Sequence, residues 1–199
     1  MKHAALILAG GEARRLGGVD KTLLVLDGRS LLARITERLR PQAAAIAVSA
    51  NGDPARFAAY GLTVLPDGAF AGQGPLAGVL AGLEWAAAHG TEALLTVPGD
   101  TPFIPPDLAA ALAPPPACAM SVGQVHFLVA LWPVGAWDAL RRFLSKAGPR
   151  GVRDFSASLG MRRVDFPVAA WDPFLNVNTA DDLEAARAVT GRRETRGGP

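Results

Sequence analysis

The chain has 199 residues, of which half are hydrophobic and 19% are charged, a balance typical of a globular protein. Its formal net charge is only +2, and the arginines of the last few residues account for it, so the folded part has no basic face of the kind that binds nucleic acid. The single cysteine, Cys118, excludes an internal disulfide and a multi-cysteine metal site, and its setting favours a buried strand thiol.

The apolar run near the N-terminus, residues 4–9, is shorter than a signal peptide requires. No stretch of the sequence approaches the length of a membrane span. We therefore expect a cytoplasmic protein with neither a membrane nor a nucleic acid as its partner.

Short apolar runs alternate with helical patterns along the chain, which is typical of a βαβ architecture. Ser30 is predicted to begin a helix that ends before Pro41, and Asp53 with Pro54 to open a short one. Apolar residues at helical spacing predict a further helix from Leu76 to Ala87. Four apolar runs predict buried parallel strands, at residues 4–9, 45–50, 62–66 and 93–97.

The second half of the chain continues the pattern with two strands, residues 127–133 and 161–168, and helices near 135–145 and 150–159. Thr179 is predicted to cap a last helix. We expect an α/β fold: one domain over residues 1–190, with a mostly parallel sheet and helices on both of its faces, and a disordered tail at 191–199.

Scarce polar residues follow the predicted strands at their carboxyl ends, the edge at which open α/β sheets bind ligands. Lys21, one of only three lysines, comes after the first strand, and Asn51, Asp67 and Asp100 come after the next three. Turn preferences explain any one of the last three as well as function does. Their common position at one edge favours a binding site.

The loop after the first strand, GGEARRLGGVDK, contains the ingredients of a polyphosphate site. Glycines let backbone N–H groups approach phosphate oxygens, and arginine and lysine supply positive charge. The loop matches neither G-x-G-x-x-G nor the P-loop, in which glycine stands where this chain has Asp20. A compact ammonium group suits one crowded phosphate better than the planar guanidinium does, although an ordinary surface loop remains the alternative.

Asp100 stands in LLTVPGDTPFIPPDL, where a buried strand leads into a proline-stiffened turn. A carboxylate presented in this way suits Mg²⁺, which takes few protein ligands and completes its shell with water and substrate phosphates. Capping of the turn is the alternative role. In the preceding helix, the N-terminus could hold an anion, whereas Gly78 and Gly82 are interpreted as allowing close packing of helix on sheet.

The sequence resembles the molybdenum cofactor guanylyltransferases over residues 4–187. The segments that carry the resemblance, in chain order, are LAGGEARRLGGVDK, VSAN, the Asp67 turn, QGPLAG, VPGDTPFIPPDL and FLNVNTADDLE. The resemblance implies a Rossmann-like domain that transfers GMP from Mg-GTP to the terminal phosphate of molybdopterin and releases pyrophosphate. The implied partners are therefore GTP, the pterin cofactor and, transiently, other enzymes that make or receive that cofactor.

The resemblance also implies roles for individual residues. Asp100 matches the magnesium ligand, Asn176 and Asn178 match the pterin side, and Lys21 and Arg15 are expected to act with Asp100 in catalysis. The residues expected to bind the nucleotide are Leu8, Ala9, Gly10, Gly11, Lys21, Ser49, Asn51, Asp67 and Asp100. The sequence departs from the family twice: Ser49 stands where an asparagine is expected, and His126-Phe127 replaces a His-Pro pair.

This chemistry fits the residues that the chain offers. A terminal phosphate is already an anionic nucleophile and needs no general base, so the reaction depends on positioning and on neutralising charge. His126 is accordingly interpreted as a structural or rim residue. The alternatives are a cytidylyltransferase acting on the same pterin, a sugar-phosphate nucleotidyltransferase, and a nucleotide sensor without turnover.

Overall fold

The computed structural model describes residues 2–10, 20–146, 151–168 and 170–194. Within these ranges the chain alternates between strands and helices, as the βαβ pattern predicts. The elements in chain order are β1 (His3–Leu8), β2 (Val25–Leu26), β3 (Arg29–Ser30), α1 (Leu31–Leu39), β4 (Ile46–Ser49), β5 (Thr63–Leu65), α2 (Pro75–Ala88), β6 (Ala93–Pro98), α3 (Leu108–Leu112), β7 (Ala117–Ser121), β8 (Gln124–Pro133), α4 (Trp137–Ser145), α5 (Val152–Ser158), β9 (Arg162–Asp165) and α6 (Ala180–Glu194).

In the described part of the chain, seven strands form one sheet in the order β5–β4–β1–β6–β8–β7–β9. Strand β1 lies in the interior of the sheet and pairs in parallel with β4 on one side and β6 on the other. Of these seven strands, β8 alone runs against its neighbours, because it pairs antiparallel with both β6 and β7. The parallel strands therefore place their carboxyl ends at one common edge, and the prediction of a mostly parallel sheet is confirmed.

Helices cover both faces of this sheet, since the side chains of β1 alternate between two hydrophobic clusters. Ala5 and Ile7 pack in the cluster that includes side chains of α1 and α3. Ala4 and Leu6 pack in the other cluster, with side chains of α2, α4 and α5. Helix α6 contributes to a third cluster that includes β2 and the start of α1.

Local capping explains where several helices begin. The Ser30 hydroxyl accepts a hydrogen bond from the Ala33 N–H at 3.1 Å, and the Thr179 hydroxyl accepts one from the Asp182 N–H at 3.1 Å. Both caps were predicted from the sequence and are confirmed. Asp53 also caps as predicted, but the helix that follows, Pro54–Tyr60, is a 3₁₀ helix.

Some element boundaries differ from the prediction. Strand β8 begins at Gln124, three residues before the predicted start, because it pairs with β7 through the hairpin turn at Val122 and Gly123. Strand β9 is shorter than predicted and ends at Asp165. Helix α6 continues to Glu194, so residue 190 lies inside a helix, and the tail beyond Glu194 lies outside the described residues.

Two smaller observations complete the fold. Cys118 is fully buried in β7, as predicted. No helix in the described ranges is long and apolar enough to cross a membrane.

Candidate active site

A cleft of about 800 Å³ opens at the carboxyl ends of β1 and β4. It lies at the carboxyl edge of the sheet, where we predicted the scarce polar residues to come together. Six of the predicted nucleotide-binding residues line it. The lining residues are Leu8, Ala9, Gly10, Asp20, Leu23, Ser49, Asn51, Arg56, Asp67, Gly72, Gly74, Pro75 and Gly78.

One wall of the cleft is a hydrogen-bonded group formed by Ser49, Asn51 and Asp67. The Asn51 side chain donates to Asp67 Oδ2 at 2.6 Å, and its Oδ1 accepts from the Asp67 N–H at 3.0 Å. The Ser49 hydroxyl donates to Asp67 Oδ1 over a longer distance, 3.4 Å. Asn51 therefore fixes the orientation of the Asp67 carboxylate, while Oδ1 has only a weak partner in this group.

The floor of the cleft is the backbone that leaves β1. The Ala9 N–H donates to the Ser49 carbonyl at 2.9 Å, and the Leu8 carbonyl accepts from the Gly99 N–H at 3.0 Å. These bonds hold the start of the glycine-rich loop between the ends of β4 and β6. Gly10 continues from there along the cleft.

Helix α2 closes against the same wall at Gly78. A Cβ atom at Gly78 would lie 2.3 Å from the Ser49 hydroxyl and 3.3 Å from Asp67 Oδ1, so any side chain there would displace them. At Gly82, a Cβ atom would lie 2.5 Å from Leu6 Cδ2 and 2.9 Å from Leu94 Cδ2. The interpretation of both glycines as packing residues is confirmed, and Gly78 in addition borders the cleft.

Lys21 belongs to a second group, next to the cleft, at the end of β6. Its ammonium group donates to Asn178 Oδ1 at 2.8 Å. The Thr101 hydroxyl lies 3.0 Å from Asn176 Oδ1 and 3.3 Å from Asp100 Oδ1, and the Val177 N–H donates to the Asp100 carbonyl at 2.8 Å. The structure thus brings Lys21, Asp100, Asn176 and Asn178 together, although they are separated by up to 157 residues along the chain.

Asp100 is partly buried in this group, and burial raises the pKa of its carboxyl above the usual value, against the lowering effects of a backbone hydrogen bond and of the charge on Lys21. The raised pKa means that the ionised carboxylate is poorly solvated where it stands. A further cation at this carboxylate would offset that cost. No group of three or more His, Cys, Asp or Glu side chains in the described residues could hold a metal by itself.

The chemistry of this carboxylate fits Mg²⁺. Magnesium binds through one or two protein carboxylates and takes its other ligands from water and substrate phosphates. Asp100 provides one such carboxylate beside the cleft, so a single protein ligand is compatible with this ion.

Close packing holds Lys21 in place. Lys21 begins the short 3₁₀ helix Lys21–Leu23, whose first turn is capped by the Asp20 carboxylate. Thr22 is buried against Gly99, where a Cβ atom would come within 2.0 Å of Thr22 Cγ2. Because Gly99 precedes Asp100, this contact brings the lysine beside the carboxylate.

Two predicted site residues, Gly11 and Arg15, lie outside the described residues. His126 lies instead on β8, where its Nε2 is 2.8 Å from the Ser121 hydroxyl. That hydroxyl donates to Asp172 Oδ1 at 2.8 Å, and burial lowers the pKa of His126. Because the Ser121 hydroxyl donates its hydrogen bond to Asp172, it is left to accept one from His126. These contacts hold the His126 ring in place and agree with its interpretation as a structural residue.

Four residues of the site were not singled out in the sequence: Asp20, Arg56, Thr101 and Asp182. Arg56 lines the cleft and forms an ion pair with Asp20, with Nε 3.1 Å from Oδ2. Asp182 accepts from the backbone N–H groups of Asn178 and Thr179, and these bonds lower its pKa. The pattern T-A-D-D indicated the cap of α6, but not that the cap also fixes the backbone of Asn178.

Comparison with known proteins identifies the family. The MobA-like NTP transferase domain matches residues 5–163, most of the chain. A molybdenum cofactor guanylyltransferase from Acidiphilium cryptum is 58% identical over 92% of this chain and 93% of its own. The chain belongs to the MobA-like NTP transferase family. It is therefore a nucleotidyltransferase by family, as predicted.

Further relatives support the same family, and solved structures support the same fold. A molybdenum cofactor guanylyltransferase from Cereibacter sphaeroides is 50% identical over 95% of this chain and 97% of its own. The structure of molybdopterin-guanine dinucleotide biosynthesis protein A from Archaeoglobus fulgidus superimposes with a TM-score of 0.71 at 23% identity, covering 95% of this chain and 99% of its own. At that identity the structural match supports the fold alone, and the predicted Rossmann-like α/β class is confirmed.

Proposed function

We propose that this member of the family transfers GMP from Mg-GTP to the terminal phosphate of molybdopterin or the molybdenum cofactor. The products are the guanine dinucleotide form of the cofactor and pyrophosphate. One observation carries the proposal: a nucleotide-sized cleft adjoins the Lys21–Asp100 group in a chain 58% identical to a molybdenum cofactor guanylyltransferase.

The wall formed by Ser49, Asn51 and Asp67 is suited to the guanine base. Guanine presents N1–H and N2–H₂ as adjacent donors, and a carboxylate can accept from both. Asp67 is held by Asn51 in one orientation, and the hydrogen bond that its Oδ1 accepts within the described residues is the long one from Ser49. We assign Asp67 Oδ1 as an acceptor for the base, with the backbone of Leu8, Ala9 and Gly10 below it.

The transfer itself requires a new P–O bond and the loss of one. A phosphate oxygen of the acceptor attacks the α-phosphorus of GTP, and the bond from that phosphorus to the bridging oxygen of pyrophosphate breaks. Lys21 neutralises charge on the phosphates at the point where pyrophosphate leaves, and Arg15 is assigned the same role. When bound at Asp100, Mg²⁺ supplies charge neutralisation and alignment of the phosphates.

Asn176 and Asn178 are assigned to the acceptor side. Both lie on the segment that follows Asp172 along the carboxyl edge of the sheet, and Asn178 contacts Lys21 directly. An acceptor phosphate bound there would lie next to the residues that hold the nucleotide phosphates. Transient contact with enzymes that supply or receive the cofactor and a cytoplasmic location belong to the same proposal.

The alternatives receive less support. A solved structure of a 4-diphosphocytidyl-2C-methyl-D-erythritol synthase from Anaerococcus prevotii has a TM-score of 0.72 but only 12% identity, over 96% of each chain, so it shares the fold alone. A sensor without turnover would have no need for the contact between Lys21 and Asn178, or for the placement of Asp100 beside Asn176 through Thr101.

The test is to incubate the purified protein with GTP, Mg²⁺ and the molybdenum cofactor, and to measure both pyrophosphate release and the mass of the product. We expect a product heavier by one GMP residue, with an equal amount of pyrophosphate. Binding of GTP without either product, at any magnesium concentration, would contradict the proposal and favour a sensor.

A further inference from the structure

Arg56 lines the cleft at the point where the wall formed by Ser49, Asn51 and Asp67 approaches the turn that carries Lys21. It lies on the 3₁₀ helix after β4, and its side chain folds back over the Phe57 ring, with the guanidinium carbon 4.7 Å from the ring centroid. Its Nη2 donates to the Asn51 carbonyl at 2.7 Å, and its Nε lies 3.1 Å from Asp20 Oδ2. One guanidinium therefore connects the end of β4 with the residue that precedes Lys21.

Asp20 links Arg56 to the turn that carries Lys21. Its Oδ2 faces Arg56, while its Oδ1 accepts from the Thr22 N–H at 3.1 Å and from the Thr22 hydroxyl. These bonds cap the 3₁₀ turn that carries Lys21. The orientation of the Asp20 carboxylate thus helps to set the position of the Lys21 turn.

Asn51 makes the connection to the other half of the site. Its carbonyl accepts from Arg56, and its side chain holds Asp67 through two hydrogen bonds. A continuous set of contacts therefore runs from Asp67 through Asn51, Arg56 and Asp20 to the Lys21 turn.

We propose that Arg56 is a positioning residue that couples the base-binding wall at Asn51 to the Lys21 turn through Asp20. Base recognition at Asp67 and Asn51 is thereby linked to correct placement of the lysine at the phosphates. This inference rests on the proposed function for its catalytic consequence, whereas the coupling itself concerns the protein alone. Arginine suits this position because its planar fork can donate to a carbonyl and form an ion pair with a carboxylate at the same time, which a lysine ammonium on a flexible stem does less well.

The test is a double-mutant cycle with Arg56→Met, Asp20→Asn and the double variant, in which methionine keeps the packing on Phe57 but loses the charge. We expect each single variant to lower kcat by about tenfold or more, as a misplaced group does, with the Kd for GTP changed less than about threefold. Because both residues act on one turn, the double variant should lose no more than the worse single variant. Arg56→Lys should recover part of the loss.

A second measurement does not depend on activity. Hydrogen exchange of the amides in residues 20–24 should become faster in Arg56→Met, Asp20→Asn and the double variant. The matched control is Arg141→Met, because Arg141 also pairs with a carboxylate, Glu84, and lies over an aromatic ring, Trp137, but on α4. This control should leave both kcat and exchange at residues 20–24 unchanged.

Three results would overturn the inference: multiplicative losses in the double variant, unchanged exchange at residues 20–24, or a loss of GTP affinity as large as the loss of kcat. The last result would indicate that Arg56 contacts the nucleotide directly. If wild-type protein makes no guanylyl product, the proposed function fails, but the exchange measurement still decides whether Arg56 holds the Lys21 turn.

Discussion

Lys21 has contacts that explain why a lysine stands at this position in an arginine-rich chain. Its ammonium group donates to Asn178 Oδ1 at 2.8 Å, and its charge acts on Asp100. The turn that carries it is packed tightly on Gly99. A single compact donor fits such a crowded position, whereas a planar guanidinium needs more room and a different arrangement of acceptors.

The first prediction at this scale is that Lys21→Arg loses nearly as much activity as Lys21→Ala. The reason is geometric, since the arginine keeps the charge but cannot take the place of the ammonium beside Asn178. The measurement is kcat at saturating GTP, with Lys2→Arg, an exposed lysine, as the control. An arginine variant with wild-type kcat would show that only the charge at residue 21 matters.

The second prediction concerns Asp100→Asn, which we expect to cost about 3–4 kcal/mol in the transition state, as the loss of one preorganised electrostatic group does. The variant should nevertheless fold. The measurement is kcat over a range of magnesium concentrations, with Asp138→Asn on α4 as a surface control. A near wild-type rate at limiting magnesium would rule out Asp100 as the metal ligand.

The same variant has a predicted effect on stability. Because burial raises the pKa of Asp100, the folded state holds the proton more tightly than the unfolded state, and ionisation costs stability above the raised pKa. Without metal, Asp100→Asn should therefore melt at or above the wild-type temperature at pH 7. The difference should shrink as the pH falls through the raised pKa towards the ordinary value of 3.8. A lower melting temperature at pH 7 would contradict this account of the carboxylate.

At the scale of elements, α2 is positioned by two glycines that have different neighbours. Gly82 packs on core leucines of β1 and β6, and Gly78 packs on Ser49 at the wall of the cleft. The spacing of four residues was enough to predict close packing. It could not show that one of the two glycines borders the candidate site, because that depends on which strand residue lies opposite.

This difference predicts that two alanine substitutions affect different properties, one the stability of the protein and the other its binding of GTP. Gly82→Ala should lower the free energy of unfolding by about 1–3 kcal/mol through overpacking, with kcat/KM unchanged in the folded protein. Gly78→Ala should turn the Ser49 hydroxyl away from Asp67 and raise KM for GTP by about fivefold, the equivalent of one hydrogen bond of about 1 kcal/mol. Denaturant unfolding and steady-state kinetics separate the two effects, and equal behaviour of the two variants would contradict the assignment of Gly78 to the cleft.

The sequence was sufficient for the elements whose signals are local. The caps Ser30 and Thr179 and the strands that precede Asn51, Asp67 and Asp100 all follow from short patterns. The strand before Asp67 was predicted to be buried, but β5 lies at the edge of the sheet and is only partly buried, because one of its sides has no neighbouring strand among the described residues. The reversed direction of β8 could not be predicted in the same way, because strand direction depends on pairing partners that lie far away in the chain.

At the scale of the whole molecule, the sheet brings together two groups that the sequence keeps apart. The parallel arrangement of β4, β1 and β6 places the wall at Asp67 and the group at Asp100 on either side of the Leu8 backbone. The common edge was predictable from the order of the strands. The contacts of Lys21 with Asn178 and of Arg56 with Asp20 were not, since they join residues from distant turns whose side-chain directions no local pattern specifies.

The most direct test of the central claim is kcat/KM for GTP, CTP, ATP and UTP with the same molybdenum cofactor acceptor. We predict that GTP is preferred, by about tenfold to a hundredfold, because a wrong base leaves buried polar groups unpaired at about 1–3 kcal/mol each. Asp67→Asn should reduce this preference more than it reduces turnover with a saturating nucleotide. A preference for CTP in the wild-type protein would contradict the guanylyltransferase assignment.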